Sequence, residues 1–315
     1  MKIAVAIPNH NQHWMVAETI RKLYSLPTKP AAVYVLSDAK PYWASPEDPG
    51  KVIEINNRDK FLGRCGNRNS AVQPFLDSDY DAIVFMDGDC YPDSEDFLGA
   101  YEKLFRKHEL VFGTRRHDKA DGLSVPPSDL LTANMDNLWL KRPVDYTDLR
   151  VVAGAVKEWQ GTRSFSERLD LMLTGMIGWS CNFGFTREGL RKLRKFQEST
   201  YSLHEGIFDS DAFGDGWGYE DVAMGIDALY AGLDIWITDT VRVGHRSHDR
   251  SDGLFDHVKG RHKIMERCRM LDWYVKSKTN VMTAMLLLYL FFIAGVITGL
   301  VTMNFSMSNF FDLGY

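Results

Sequence analysis

The run Ala82-Ile-Val-Phe-Met-Asp-Gly-Asp-Cys-Tyr-Pro-Asp93 constrains the fold more than any other stretch. Its first residues are uniformly apolar, the pattern of a strand buried on both faces in a parallel sheet. The run stops on Asp87 and Asp89 with Gly88 between them, so both acids belong to the carboxyl end of that strand. In open α/β sheets the ligand crevice lies outside those ends, and acids there can hold a hard cation that grips a diphosphate. Gly88 permits the bend that lets both carboxylates face one ion. A polar turn closing a strand has the same composition, so the remainder of the chain must decide its meaning.

The flanking residues alternate between strand and helix patterns. Ile3 to Ile7 is an apolar strand broken at Pro8-Asn-His-Asn11, with Asn11 placed to cap a helix carrying Trp14, Ala17, Ile20, Leu23 and Tyr24 at helical spacing. Ala32 to Leu36 reads as a second strand ending on Ser37-Asp38, and Val52 to Ile55 as a third. Gly63-Arg-Cys-Gly-Asn-Arg-Asn-Ser70 reads as a glycine-containing loop leading into a helix, and Ser94 as the cap of a later one. Glu109 to Gly113 is a further strand, ending in Thr114-Arg-Arg-His117.

Between 118 and 165 the periodicity is too weak to assign elements. Order returns at Gly178 to Thr186, and Thr186 caps a basic helix from Glu188 to Phe196. Residues 201 to 216 hold Gly206, Gly214 and Gly216 and read as a mobile loop. A helix from Tyr219 to Ala231, a strand from Ile235 to Ile237 and a loop at Val243-Gly-His-Arg-Ser-His248 complete the pattern. The expected class is α/β, a Rossmann-like and mostly parallel central sheet flanked by helices.

A net charge of −5 and the lack of a long basic run in the first 250 residues argue against a duplex nucleic-acid surface. Cys65, Cys90, Cys181 and Cys268 form no CxxC pair, so neither zinc nor a disulfide framework is expected, and reduced thiols fit a cytoplasmic setting. Met1 to Pro8 enters a turn too soon for a secretory signal.

Val281 to Met303 is 23 residues without a charge. As a helix it would be ~34 Å long, enough to cross a hydrocarbon core of about 30 Å with some tilt. Before it stand Lys259, Arg261, Lys263, Arg267, Arg269, Lys276 and Lys278, whereas Asn304 to Tyr315 has no Lys or Arg. The positive-inside bias therefore predicts a single-pass span with the large domain in the cytoplasm. Residues 255–280 are the basic juxtamembrane helix, with Trp273 and Tyr274 at headgroup level, 281–303 the span and 304–315 a short tail. Gly295 and Gly299 form a GxxxG through which two such helices can pack.

Taken together, Asp87-Gly-Asp89, Gly218-Tyr-Glu-Asp221 opening a helix and Val243-Gly-His245 after the next strand resemble the nucleotide-sugar glycosyltransferases of the GT-A fold. The first half resembles family 2, through Ile7-Pro-Asn-His-Asn11, Asp38, the Gly63 to Asn69 segment and the DxD. The second half is similar to the polypeptide N-acetylgalactosaminyltransferases and β-1,4-galactosyltransferases, through Trp217-Gly-Tyr-Glu-Asp-Val-Ala-Met-Gly225, Asp234-Ile-Trp-Ile237 and Val243-Gly-His245. The resemblance spans about residues 1–250, and the domain it implies is 1–254, with a nucleotide-binding half (1–117) and an acceptor half (118–254).

The resemblance implies a cation, Mn2+ or Mg2+, held by Asp89 and His245, with Asp87 nearer the ribose or reaching the metal through water. His248 is the competing imidazole. Pro8, Asn9 and Asp38 would meet the uracil or ribose of a UDP-sugar, Gly63 and Arg68 would lie near the nucleotide, and Trp179 to Asn182 would line donor sugar and acceptor. Trp217 is a sugar platform or a core tryptophan. Asp221 would act as general base, with Glu220 hydrogen-bonding a sugar. Retaining polypeptide transferases commonly carry Asn where Asp221 stands, which pulls the expectation toward inversion.

The function implied is metal-dependent sugar transfer to a hydroxyl acceptor, first a lipid-linked saccharide or envelope glycan, by a bacterial or phage type of enzyme. Protein, or hydroxymethylated bases of phage DNA, is the alternative acceptor. A non-catalytic membrane scaffold that keeps the fold is the alternative outside enzymology.

Overall fold

In the computed structural model the described residues are 1–39, 41–42, 49–58, 62–117, 149–162, 164–173, 180–201, 206–213, 219–246 and 262–276, together with 285, 289, 290 and 293. They form two compact units, Met1–Met265 and Glu266–Tyr315.

The apolar run ahead of the two acids is a fully buried strand, β4 (Ala82–Met86). Before it come β1 (Ile3–Asn9), α1 (His13–Ser25), β2 (Ala32–Ser37), β3 (Val52–Asn56), α2 (Gly63–Asn69) and α3 (Val72–Asp77). After it come β5 (Cys90–Pro92), α4 (Phe97–Phe105), β6 (Leu110–His117), α5 (Leu149–Gly161), α6 (Phe165–Leu173), β7 (Asn182–Thr186), α7 (Arg187–Tyr201), α8 (Ser210–Phe213), α9 (Glu220–Tyr230) and β8 (Ile235–His245). Among the described residues these strands make one eight-stranded sheet in the order β3-β2-β1-β4-β7-β6-β8-β5.

Pairing is parallel through β3, β2, β1 and β4, as expected. Beyond β4 two reversed strands, β7 and β5, enter a sheet that is otherwise parallel, since β6 and β8 pair parallel to each other. Strand β7 runs antiparallel to both β4 and β6, and β5 antiparallel to β8. The reversal has a positional effect: register sets Met86 opposite Asn182, so β7 begins where β4 ends and delivers Ser180 and Cys181 to the acidic end of the sheet.

The core is strongly aromatic. Phe85 stacks on Phe183 with centroids 4.9 Å apart, and Phe112, Phe185 and Phe208 surround Phe183. Each such side chain contributes ~1.5–3 kcal/mol by leaving water. These rings lock β4, β7 and β6 together directly behind the site.

Several local expectations change. Gly63 to Asn69 is helix α2 rather than loop: Gly63 takes φ 61°, and Asn67 then clamps the end of β2 by donating to Leu36 O at 2.9 Å while accepting from Asn57 Nδ2 at 2.7 Å. Residues 206–213 are packed rather than loose, since Asn69 Oδ1 accepts from the backbone N–H groups of Ile207 and Phe208, both wholly buried. Gly206, at φ 83°, passes so close to Asn69 that no β-carbon fits.

Helix caps differ in the same way. Asp96, not Ser94, caps α4 through Gly99 N, and Ser94 Oγ donates to Thr240 O instead. Gln12 rather than Asn11 precedes α1, without a side-chain cap. Thr186 does cap α7, accepting from Gly189 N at 3.1 Å. Strand β8 runs on to His245, so Val243-Gly-His245 is strand, with residues 238–241 bulging opposite Gly113.

Residues 262–276 are helical, with Met270, Trp273 and Val275 exposed. Among the described residues no helix is long and apolar enough to cross a membrane. The segment 281–303, including Gly295 and Gly299, lies outside them except for Met285, Tyr289, Leu290 and Ile293.

Candidate active site

The carboxyl ends of β1, β2 and β4 lie side by side, and the site begins there. Asp87 follows β4, its N–H donating to Cys181 O at 3.3 Å, and the chain turns through Gly88 into Asp89. A β-carbon on Gly88 would stand 2.6 Å from Pro8 O and 2.7 Å from Gln12 Oε1. Glycine is therefore required by the close approach of β1, and not by flexibility alone.

The short strand β5 explains how a histidine 156 positions further on reaches the DxD. Its antiparallel ladder with β8 sets Cys90 opposite His245, Tyr91 opposite Gly244 and Pro92 opposite Val243. Asp89 Oδ2 and His245 Nε2 are 3.4 Å apart, in residues only 8% and 6% exposed. Two donors that share one ion at about 2.0–2.2 Å must lie at such a separation, so the pair suits a metal. Asp89, Cys90 and His245 each offer a ligand atom, all within 4.8 Å of one another. Asp87 is outside that group, its carboxylate drawn elsewhere.

What draws it is Arg68. From α2 its Nη2 donates to Asp87 Oδ1 at 2.6 Å, and its Nη1 to Glu220 Oε1 at 3.3 Å. Arg68 and Glu220 are each 5% exposed. Burial works against the guanidinium's charge, but Asp87 and Glu220 more than reverse this and raise its pKa. Burial pushes the Glu220 carboxyl up from the usual range, the Asp221 charge adds to the rise, and Arg68 opposes it. Near them the Cys65 thiol is pushed up to about 12, first by burial and then by Glu220.

Tyr219 precedes α9 at φ 71°, the sole positive φ of a non-glycine among the described residues. Such a backbone costs of order 1–3 kcal/mol and gathers at functional sites. Here it turns the chain so that Glu220 enters the interior while Asp221 stays partly exposed. Both Asp221 oxygens are oriented by backbone donors, Oδ2 by Ser180 N at 3.1 Å and Oδ1 by Val222 N at 2.8 Å. A carboxylate oxygen takes more than one hydrogen bond, so each keeps capacity for a hydroxyl.

At the opposite side of the same crevice Asp38 N donates to Asn9 O at 3.3 Å, and Asp38 Oδ1 lies 2.9 Å from His10 Nδ1. Asn9 is fully buried, with its Nδ2 on Ser37 Oγ and no partner for Oδ1 among the described residues. Pro8 is half-buried beside them.

Not every predicted residue joins this cluster. Asn182 faces the core: it accepts from Tyr101 Oη at 2.7 Å and donates to Thr114 O and Val241 O, so its amide is spent on holding β6, β7 and β8 together. This corrects its reading as a donor-lining side chain. Gly63 serves as the turn into α2, whereas Arg68 is within the cluster, as the buried bridge between Asp87 and Glu220. Trp179, Trp217 and His248 lie outside the described residues. Cys90 went unrecognised, since one cysteine beside a DxD carries no spacing signal.

The family model for glycosyl transferase family 2 matches residues 4–194, well over half of the chain. The chain belongs to glycosyl transferase family 2. The match takes in Asp38, Asp87 and Asp89 and ends before Asp221 and His245. No curated protein matches. Among solved structures, this family 2 chain is similar to the mannosyltransferase PcManGT from Pyrobaculum calidifontis in complex with GDP-Man and Mn2+: 16% identity over 84% of this chain and 64% of that one, TM-score 0.52. It also matches S. aureus TarS 1–349 in complex with UDP (14% identity, 86% and 64% covered, TM-score 0.44). A third is glucosyl-3-phosphoglycerate synthase from Mycobacterium tuberculosis in complex with Mn2+, UDP and glucosyl-3-phosphoglycerate (16%, 85% and 80%, 0.40). The chain spans 37% to 64% of the length of the TarS chains it matches. At these identities the likeness is one of fold, a mixed α/β sheet of the GT-A kind.

Proposed function

We propose that this chain transfers a sugar from a nucleotide diphosphate sugar, of the UDP class, to a hydroxyl acceptor with inversion at the anomeric carbon. The observation that carries the reading is the convergence of Asp89 with His245, 3.4 Å apart, at the sheet end where Arg68 ties Asp87 to the Glu220–Asp221 pair. Family membership supports the reaction class, and PcManGT, with the same fold, binds GDP-Man and Mn2+, ligands of the same kind.

In this reading Asn9 and Asp38 hold the nucleoside against the ends of β1 and β2. Asp89 and His245 hold a divalent ion, Mn2+ or Mg2+, which when bound offsets the charge that develops on the departing diphosphate. Asp221 takes the proton of the acceptor hydroxyl as that oxygen attacks the anomeric carbon opposite the leaving group. Glu220 is held by Arg68, and Asp221 is oriented by the backbone N–H groups of Ser180 and Val222.

The acceptor we infer is a lipid-linked saccharide. The uncharged run 281–303 supports it, as a single-pass anchor behind a basic helix that would hold the site near anionic headgroups on the cytoplasmic side. A donor screen with purified protein tests the reading: nucleotide release with one sugar donor, present with Mn2+ and abolished by chelator, is the expected result. No metal-dependent release from any donor would leave a scaffold.

A further inference from the structure

The carboxylate and imidazole of the ion site have a third neighbour that the transferase reading does not use. Asp89, Cys90 and His245 are all buried, and one ligand atom from each lies within 4.8 Å of the other two. This is a consequence of the ladder. Cys90 and His245 are directly opposed in the β5–β8 pair, so their side chains leave the sheet on one face, while Asp89 closes the preceding turn. Cys90 Sγ lies 3.5 Å from Asp89 Oδ1. Thiolate, imidazole and carboxylate bind one ion at about 2.3, 2.0–2.1 and 2.0–2.2 Å, so a single ion reaches all three after small side-chain rotations.

We propose that Cys90 completes a three-ligand site with Asp89 and His245, and that this site prefers a borderline or soft divalent ion of the Zn2+ or Co2+ class to Mg2+. The argument is one of donor chemistry. Oxygen-only sites suit Mg2+ and Mn2+, and each thiolate shifts selectivity toward softer ions. Three protein ligands also leave a coordination position open, as catalytic sites of this kind do, for water or an oxygen of a diphosphate. On ligation the thiol proton passes to solvent, and sulfur undergoes no redox change. The site is thus distinct from a zinc framework, which would need closely spaced cysteines. The inference rests on the transferase reading only in taking Asp89 and His245 as ion ligands.

The experiment is a Co2+ titration of the full chain followed by absorbance, because a thiolate–Co2+ bond gives an intense near-ultraviolet charge-transfer band that oxygen and nitrogen ligands do not. The wild type should develop the band to a stoichiometric end point, Cys90→Ser should lack it, and Cys181→Ser should keep it. By competition with a chelating indicator, Zn2+ affinity of Cys90→Ser should fall by more than the ~10–100-fold typical for loss of an outer-shell partner, and Mn2+ affinity by less than Zn2+ affinity. Stoichiometric Co2+ uptake by the wild type without the band would overturn the proposal whatever the variants do, as would a band that survives Cys90→Ser. If the wild type then still releases nucleotide with Mn2+, the transferase reading stands and only the role of Cys90 is lost. No Co2+ uptake at all would remove both.

Discussion

Replacing Arg68 by methionine removes a buried cation while keeping most of its volume. Two carboxylates lose their partner, Asp87 at 2.6 Å and Glu220 at 3.3 Å, and Glu220 is left in a site 5% exposed. Breaking a buried ion pair from one side costs ~3–5 kcal/mol, because the remaining charge stays desolvated. For a domain of this size a loss of that order lowers Tm by roughly 6–20 °C.

The pH dependence gives the sharper test. Burial and then Asp221 raise the Glu220 pKa above its value in the unfolded chain, and Arg68 restrains that rise. A carboxyl with a raised folded pKa stabilises fully below the unfolded pKa and loses that contribution as pH climbs through the folded value. Without Arg68 the folded value moves further up, so the deficit of Arg68→Met should be largest at high pH and shrink on acidification. Thermal unfolding across pH measures it, and Glu220→Gln in the same background should recover much of the loss as a coupling term. A deficit that is independent of pH and unaffected by Glu220→Gln would refute the bridge.

Asp221→Asn should keep donor affinity and lose transfer by ~10²–10⁴-fold, read as single-turnover rate against nucleotide binding. Asp89→Ala should abolish the gain in UDP affinity that Mn2+ confers in calorimetry; an unchanged gain would strike Asp89 from the ligands. Gly88→Ala forces a β-carbon against Pro8 O and should lower both Tm and metal affinity, because β1 and the acidic turn can no longer approach.

Where the sequence was readable, one physical pattern sufficed. Ile3 to Ile7, Ala32 to Leu36 and Ala82 to Met86 are apolar without interruption because helices or loops cover both faces, and their ends marked Asn9, Asp38 and Asp87. Elements held by side-chain amides were not readable. Helix α2 depends on Asn67 and Asn69 reaching Leu36, Ile207 and Phe208, contacts far apart in the chain, and its glycines point to a loop instead. Asn182 shows the same blindness in reverse, since its core partners come from α4, β6 and β8. Strand β5 is three residues ending in proline, too short for any alternation to register. His245 was found by resemblance, but its place in a strand was hidden by the polar bulge at 238–241.

Among the described residues β5 is the outermost strand on its side of the sheet, joined only to β8. An ion held between Asp89 and His245 would therefore also fasten a seam between a hem of three residues and the body of the molecule. If that fastening is released, the outer rungs of β8 from Val243 to His245 lose their cover and offer an open template to a second chain. Chelation should accordingly promote self-association as well as silence chemistry.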